Sequence, residues 1–413
     1  MRLRAWALLW VPIWALLAAA LLVSHHANAA DAAFESFLQS LWPDAQRMGV
    51  SRPVFDLAIR GLEPDLSLPD LVVAGKADRP PPAQAEFVQT PADYVRESSI
   101  ARLAAQGKKL YDKHRATLDA IEQRFGVPGA VVLAIWGRET AYGSHKLPHD
   151  AMRVLATQAY VGRRKDMFRG ELLSAFKMLQ DGVPRERLRS SWGGAMGFTQ
   201  FLPSEFGKHG VDFDGDGKVN LWTSIPDALA SAAQQLANKG WQRGERWAYE
   251  VRISSNVDCT IAQPGHVFPI GEWLKRGYAP AFGRKLSANE QKNDASLLLP
   301  EGTYGPAFLT PKNYFVIKEY NFSDLYVLFV GHLSDRIMDG RPFEKAWSKN
   351  AQLRTEEVEA MQRTLAERGV YKDKVDGKAG MLTRAALGNY QKANGLKLDC
   401  WPTAAVLTHM QGR

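Results

Sequence analysis

The sequence predicts a mainly α protein with a minor β component (α+β), in which a large helical domain with a few short strands precedes a small helical domain. Three observations carry this. Apolar residues recur at three- and four-residue spacing through most of the chain. Short β-branched runs mixed with turns mark residues 247–320, roughly, as the place of a few short strands. A polar, poorly periodic stretch at 341–354 sets the final segment, 355–411, apart from the rest. A length of 413 residues suits two or three domains. With 46% apolar and 23% charged residues, the composition is that of a globular protein and excludes global disorder, a collagen-like repeat and a multi-span membrane protein.

In chain order, the first element is a leader. Arg2 and Arg4 precede an apolar stretch from Ala5 to Val23, and Ala27-Asn28-Ala29 is a small-x-small cleavage site. Residues 1–29 therefore read as an export signal. An uncleaved anchor is the alternative, because the stretch is about long enough to span a bilayer. Neither cysteine, Cys259 or Cys400, follows the leader, so no N-terminal lipid attachment is available. The two thiols are free to pair outside the cytosol or to remain separate; spacing does not decide it. The net charge of +8 favours an anionic partner such as nucleic acid, a membrane surface or an acidic polymer. Export argues against nucleic acid.

Beyond the leader, Phe34, Phe37, Leu38 and Leu41 mark a helical pattern running from Ala33 to Leu62. Arg79-Pro80-Pro81-Pro82 reads as a loop. Ile100 to Phe125 is again helical, and Val127 to Leu236 is helix-rich, broken by Gly and Pro. Tyr249–Ile253 and Tyr314–Ile317 read as short strands, and Asp324–Ile337 as a closing helix. Residues 30–340 make the large domain, 341–354 the linker and 355–411 the small domain.

Within the large domain, the segment Pro128 to Gly143 carries an acid on an apolar pattern. Val132, Ile135, Glu139 and Tyr142 lie at i, i+3, i+7 and i+10, with Pro128 suited to the first turn and Gly143 to the stop. An apolar setting raises a carboxyl pKa. A glutamate protonated near neutrality is what general-acid attack on a glycosidic oxygen needs; an ion pair with a nearby arginine is the plainer reading. A second motif, Ser191-Trp-Gly-Gly-Ala-Met-Gly-Phe-Thr-Gln200, frames three glycines with aromatic and polar residues. Glycines there let a ligand backbone approach closely, and Ser191 and Gln200 offer hydrogen bonds.

Together, Trp136-Gly-Arg-Glu139-Thr-Ala-Tyr-Gly143 and Ser191 to Gln200 resemble the B family of lytic murein transglycosylases, from about Phe34 to Ile337. The resemblance implies a goose-lysozyme-like catalytic domain that cuts peptidoglycan without water. Position by position, it implies Glu139 as the single catalytic acid, with Ser191 and Gln200 lining the site. It implies substrate contacts from Tyr320 and Asn321, from the pair Arg163 and Arg164, and from Tyr94 as an aromatic cleft residue. Ordinary glycosidases use two carboxylates; the resemblance implies one. On that resemblance, Glu139 would protonate the oxygen joining N-acetylmuramic acid to N-acetylglucosamine. The sugar's own N-acetyl group would then steady C1, and the resulting carboxylate would take the C6 hydroxyl proton as O6 closes on C1. The resemblance thus implies a 1,6-anhydro end and no cofactor for the chemistry.

Asp212-Phe-Asp214-Gly-Asp216-Gly217-Lys218 opens like an EF-hand calcium loop, with acids at positions 1, 3 and 5 and the Lys218 carbonyl at position 7. Position 12 is Thr223 in place of the usual glutamate, and Asp227 follows four residues later as a substitute ligand. A structural Ca²⁺ is the expected occupant. The final segment has Val358, Met361 and Leu365 on one helical face, then a Val375-Asp-Gly377 turn, Thr383-Arg-Ala-Ala386 and Gln391-Lys-Ala-Asn-Gly-Leu396. It resembles the three-helix peptidoglycan-binding domain. Since it holds no catalytic set, its expected role is wall targeting, separable from cleavage.

The expectation is a periplasmic, monomeric peptidoglycan lytic transglycosylase whose partners are glycan strands, with no nucleic acid and no stable membrane anchor after signal cleavage. Two alternatives stand beside it: a muramidase-type hydrolase pairing Glu139 with Glu171 or Asp166, and a non-catalytic wall-binding protein.

Overall fold

The computed structural model describes residues 32–73, 75, 84–254 and 256–412. The leader and the proline run at 79–82 lie outside the described residues. Among the described residues, no helix is long and apolar enough to cross a membrane. Two compact units divide the chain, and neither follows chain order. The first comprises residues up to Pro81 with Leu147–Met196 and Leu202–Gly207; the second comprises Pro82–Lys146, Gly197–Phe201 and Lys208–Arg413. The small C-terminal segment thus belongs to the second unit.

In the first unit, helices at 32–40, Trp42–Arg47, Arg52–Ile59, Ala151–Val161 and Lys165–Gln180 pack around aromatic contacts. The spacing that marked Phe34, Leu38 and Leu41 is the buried face. Phe34 meets Tyr160 edge-on at 5.2 Å, and Phe55 meets Phe176 at 5.1 Å. Such pairs contribute about 0.5–1.5 kcal/mol beyond area burial. Asp150 caps the Ala151–Val161 helix by accepting the Arg153 N–H at 3.1 Å. His149–Asp150 pairs antiparallel with Arg189–Ser190.

The second unit is built around the helix Gly129–Thr140, which is buried on nearly every side. Helices Glu97–Lys113, Arg115–Phe125, Ile225–Asn238 and Asp324–Ile337 surround it. A Cβ at Gly129 would sit 2.7 Å from the Leu118 Cβ, so glycine is what lets two helices close there. The expected apolar stripe is therefore an all-round core helix, and it stops at Thr140. Ala141 and Tyr142 both take left-handed backbone, which turns Tyr142 out of the stripe and sets its ring against Gly137. Its hydroxyl donates to the Leu103 carbonyl at 3.0 Å.

A five-stranded antiparallel sheet runs in the order Phe268–Pro269, Asp294–Leu298, Ala307–Thr310, Tyr249–Arg252, Ala279–Pro280. Tyr249–Arg252 is a strand as expected, but Tyr314–Ile317 lies in the helix Lys312–Lys318. A short apolar run fits either period. Here Asn313, Tyr314, Val316 and Ile317 are buried together, a helical face, and the Asn313 amide anchors the turn on the Gln242 and Glu245 carbonyls.

The C-terminal bundle consists of Thr355–Glu367, Met381–Ala393 and Ala404–Met410 around Met361, Leu365, Leu387 and Tyr390. Buried Gln362 accepts the N–H groups of Asp376 and Gly377, which fixes the expected turn. A Cys259–Cys400 disulfide ties the bundle to the sheet region, so the thiols pair.

Candidate active site

Glu139 sits one residue before the end of the core helix and is half-buried. The Tyr326 hydroxyl, from the first turn of the Asp324–Ile337 helix, donates to Glu139 Oε1 at 2.6 Å. Burial pushes the Glu139 carboxyl above its ordinary range; the Tyr326 hydrogen bond and the Arg138 charge pull it down, and Glu86 pushes it up. Burial, followed by the Glu139 charge, lifts the Tyr326 phenol well above 10, so it acts as a donor. Arg138 does not ion-pair with Glu139; its guanidinium donates to the Tyr94 hydroxyl at 2.6 and 3.0 Å and lies 4.8 Å over the Tyr94 ring. The net result is an acid with one strong donor and few compensating charges, able to hold a proton and then carry the negative charge.

Tyr320 stacks on Tyr326 with ring centroids 6.3 Å apart and 7° between planes, and its hydroxyl donates to the Thr199 carbonyl at 2.6 Å. Thr140 bonds the Phe198 carbonyl at 2.8 Å, and Gln200 folds back on the Gly197 carbonyl at 2.9 Å. The glycine motif's second half is thereby fastened to both ends of the acid's surroundings. The Asn321 side-chain amide donates to Glu86 at 3.2 Å while its Oδ1 accepts the Ser323 N–H at 3.1 Å. Of the expected residues, the second unit thus brings Glu139, Tyr320, Asn321 and Gln200 into one connected set. Tyr94 is placed differently: it is buried, its phenol is pushed up to about 12 chiefly by burial, and its hydroxyl is engaged by Arg138. Tyr326 and Glu86 were missed by sequence reasoning. Both stand 187 or more residues from their partner, and the signal for Tyr326 was only its nearness in the chain to Tyr320 and Asn321.

Ser191, Arg163 and Arg164 belong to the first unit. Ser191 closes a tight turn: its N–H donates to the Ala195 carbonyl at 2.9 Å, its carbonyl accepts the Gly194 N–H at 3.0 Å, and its Oγ accepts the Ala195 N–H at 3.2 Å. Arg163 and Arg164 both face buried Asp70, at 3.3 and 3.4 Å, which holds the pair in place and was not foreseen. Two of the three motif glycines serve packing: a Cβ on Gly194 would strike Leu155 at 2.5 Å, and one on Gly197 the Leu221 backbone at 2.7 Å. Gly193 alone of the three faces open space, its nearest neighbour being Ser191 Oγ at 3.9 Å. Glu171, proposed above as a second acid, accepts both the N–H and the hydroxyl of Ser204 at 2.9 and 2.8 Å. Asp166 is exposed.

In the acidic loop, carboxylate oxygens of Asp212, Asp214 and Asp227 lie within 4.8 Å of one another. Asp227 is fully buried at the start of the Ile225–Asn238 helix and accepts N–H groups from Phe213, Asp214 and Asn220. Asp216 is exposed, outside that trio, and accepts the Lys218 N–H at 2.9 Å. Three converging carboxylates form a donor set that suits a hard cation.

Residues 33–335 match the transglycosylase SLT domain, and residues 354–410 match the putative peptidoglycan-binding domain. The chain belongs to the SLT-domain transglycosylase family. It is 30% identical over 236 residues to membrane-bound lytic murein transglycosylase B of Escherichia coli (strain K12), covering 56% of this chain and 63% of that protein, less than two thirds of the relative's length. The structure of SltB3 from Pseudomonas aeruginosa in complex with NAG-NAM-pentapeptide is similar with a TM-score of 0.82 and 36% identity, over 91% of this chain and 99% of that one. The Escherichia coli lytic transglycosylase Slt35 in complex with calcium is similar with a TM-score of 0.50 and 26% identity, over 62% of this chain and 80% of that one. These likenesses bear out the mainly α, lysozyme-like fold.

Proposed function

We propose that this protein is a peptidoglycan lytic transglycosylase that cleaves the bond between N-acetylmuramic acid and N-acetylglucosamine and leaves 1,6-anhydro ends. The observation that carries the reading is Glu139, a carboxyl raised by burial and held by the Tyr326 hydroxyl at 2.6 Å. In the first step Glu139 gives its proton to the glycosidic oxygen. The Tyr326 hydrogen bond strengthens as the carboxylate forms, which favours the transition state over the ground state. The substrate's N-acetyl group steadies C1, oriented by Asn321, whose side chain is set by Glu86 and the Ser323 N–H. Glu139 then accepts the C6 hydroxyl proton and O6 closes the ring. In the second unit Gln200 and Tyr320 line the substrate path and Tyr94 acts through Arg138; in the first unit Ser191, Arg163 and Arg164 are that unit's own contacts to the saccharide or peptide.

Asp212, Asp214 and Asp227 would hold a structural calcium ion, and Asp216 and the Lys218 carbonyl are the same loop's further candidate ligands. When bound, the ion offsets the repulsion among these acids. The chemistry runs through Glu139 alone and needs no cofactor. The leader sends the chain to the periplasm, where it acts as a monomer on glycan strands, and the 355–411 bundle adds wall binding. Mass analysis of digested sacculi tests the reading. Anhydro products, one water lighter than the reducing-end muropeptides of a hydrolase, support it. Reducing ends make the protein a muramidase, with Glu86 as the candidate second acid, and no products make it a wall-binding protein.

A further inference from the structure

The helix that presents Tyr326 to Glu139 starts at Asp324, and that residue is bound by the C-terminal bundle. Arg384 of the Met381–Ala393 helix meets Asp324 Oδ2 at 3.0 Å, the two side chains being 9% and 8% exposed. Asp324 Oδ1 accepts from Lys318 at 2.6 Å and from the Tyr314 hydroxyl at 2.7 Å. Both carboxylate oxygens are thus engaged, each by a cation. Tyr326 follows two residues later, in the same first turn, whose N–H groups at Leu325 and Tyr326 rest on Ser323 Oγ. The bundle also reaches the opposite flank of the site. Lys378 Nζ lies 3.7 Å over the Phe87 ring, and the Gln352 amide, from the preceding linker, donates to the Phe87 carbonyl at 3.1 Å. Phe87 adjoins Glu86, the partner of Asn321. The two residues that touch Glu139 and Asn321 are therefore each one or two positions from a residue held by the bundle or its linker.

We propose that the C-terminal bundle is a positioning element of the active site, with Arg384 fixing the helical turn that aims Tyr326 at Glu139. A buried ion pair is costly to desolvate and contributes little net stability on that account, so its role here is taken to be geometric. Arg384 meets that description, since it spends a buried charge on a turn of the large domain while its Nη1 is tied to the Ala379 carbonyl at 2.5 Å. The bundle then has two roles, binding wall and keeping the Tyr326–Glu139 distance. The inference rests on the transglycosylase reading of Glu139.

The test uses the full chain and soluble glycan fragments, so that lost wall binding does not enter. Arg384→Gln is expected to lower kcat roughly three- to tenfold, the rate equivalent of one weakened hydrogen bond, with little change in KM. The alkaline limb of the pH profile moves upward, as it does in Tyr326→Phe, because Glu139 loses part of a bond that favours its charged form. The other groups that face Glu139, namely Arg138 and Glu86, are untouched. Arg384→Lys restores part of both effects, and Arg384→Gln combined with Tyr326→Phe adds no further limb shift. An unmoved limb in Arg384→Gln overturns the proposal whether or not kcat falls, because destabilisation alone lowers rate without changing the acid's titration. If Arg384→Gln does not fold, Arg384→Met, which keeps an apolar stem of similar length and removes the charge, decides by the same limb. Full activity in Glu139→Gln would instead overturn the reading of the site itself.

Discussion

Replacing Tyr326 by Phe removes one atom from the site and nothing from the core, since the ring stays stacked on Tyr320. The lost oxygen donates to Glu139 Oε1 at 2.6 Å, a bond to a group that becomes charged during the first step. Hydrogen bonds to charged groups contribute about 1.5–3 kcal/mol. If that energy is realised only as the carboxylate forms, kcat falls roughly 10- to 150-fold. The titration sign follows separately. Burial raises the Glu139 carboxyl, and the Tyr326 bond opposes that rise. Without the hydroxyl the carboxyl rises further, so more enzyme stays protonated at neutral pH and the alkaline limb moves up. A variant that is slower yet active to higher pH is the expected signature, read as kcat and kcat/KM across pH on soluble glycan fragments. Rates within about twofold of wild type and a fixed limb would show that the bond has no part in acid catalysis.

Glu139→Gln keeps the shape but cannot give and retake a proton, and cleavage should fall by about 10²–10⁴ or more, measured by anhydro product formation. The same variant should melt higher than wild type, increasingly so as pH rises. The native Glu139 pKa is raised, so the folded state binds the extra proton and wild-type stability declines from the ordinary glutamate range up to the raised value; a constant difference across pH refutes this. Calcium in 100-fold excess over its Kd should stabilise the chain by about 2.7 kcal/mol. Asp214→Ala should abolish that shift, and a melting curve indifferent to calcium and chelator rejects the site. Cys400→Ser opens a loop whose cysteines are 141 residues apart, and the chain-entropy model sets the loss at up to about 5 kcal/mol; an unchanged melting temperature would mean the bundle is held by packing alone.

Local pattern determined much of this protein. The spacing of Phe34, Leu38 and Leu41, the closing helix Asp324–Ile337, the strand at Tyr249 and the turn at Asp376-Gly377 were legible because each depends on neighbours a few residues away. Motif order was enough to single out Glu139 as the candidate acid, and the loop acids as the candidate cation site. What lay beyond reach was which distant groups meet. Tyr326 and Glu139 are 187 residues apart, Asn321 and Glu86 are 235 apart, and Arg384 finds Asp324 across 60. The same limit explains the errors. Tyr314–Ile317 fits a strand by composition, but burial on the Asn313 anchor makes it a helix; Tyr142 fits the stripe by count, but left-handed backbone takes it out. Periodicity reports which face of a segment is apolar. A hydrogen bond between remote side chains depends on how those faces pack, and packing sums contacts from the whole unit, so only the tertiary structure decides where the acid's partners stand.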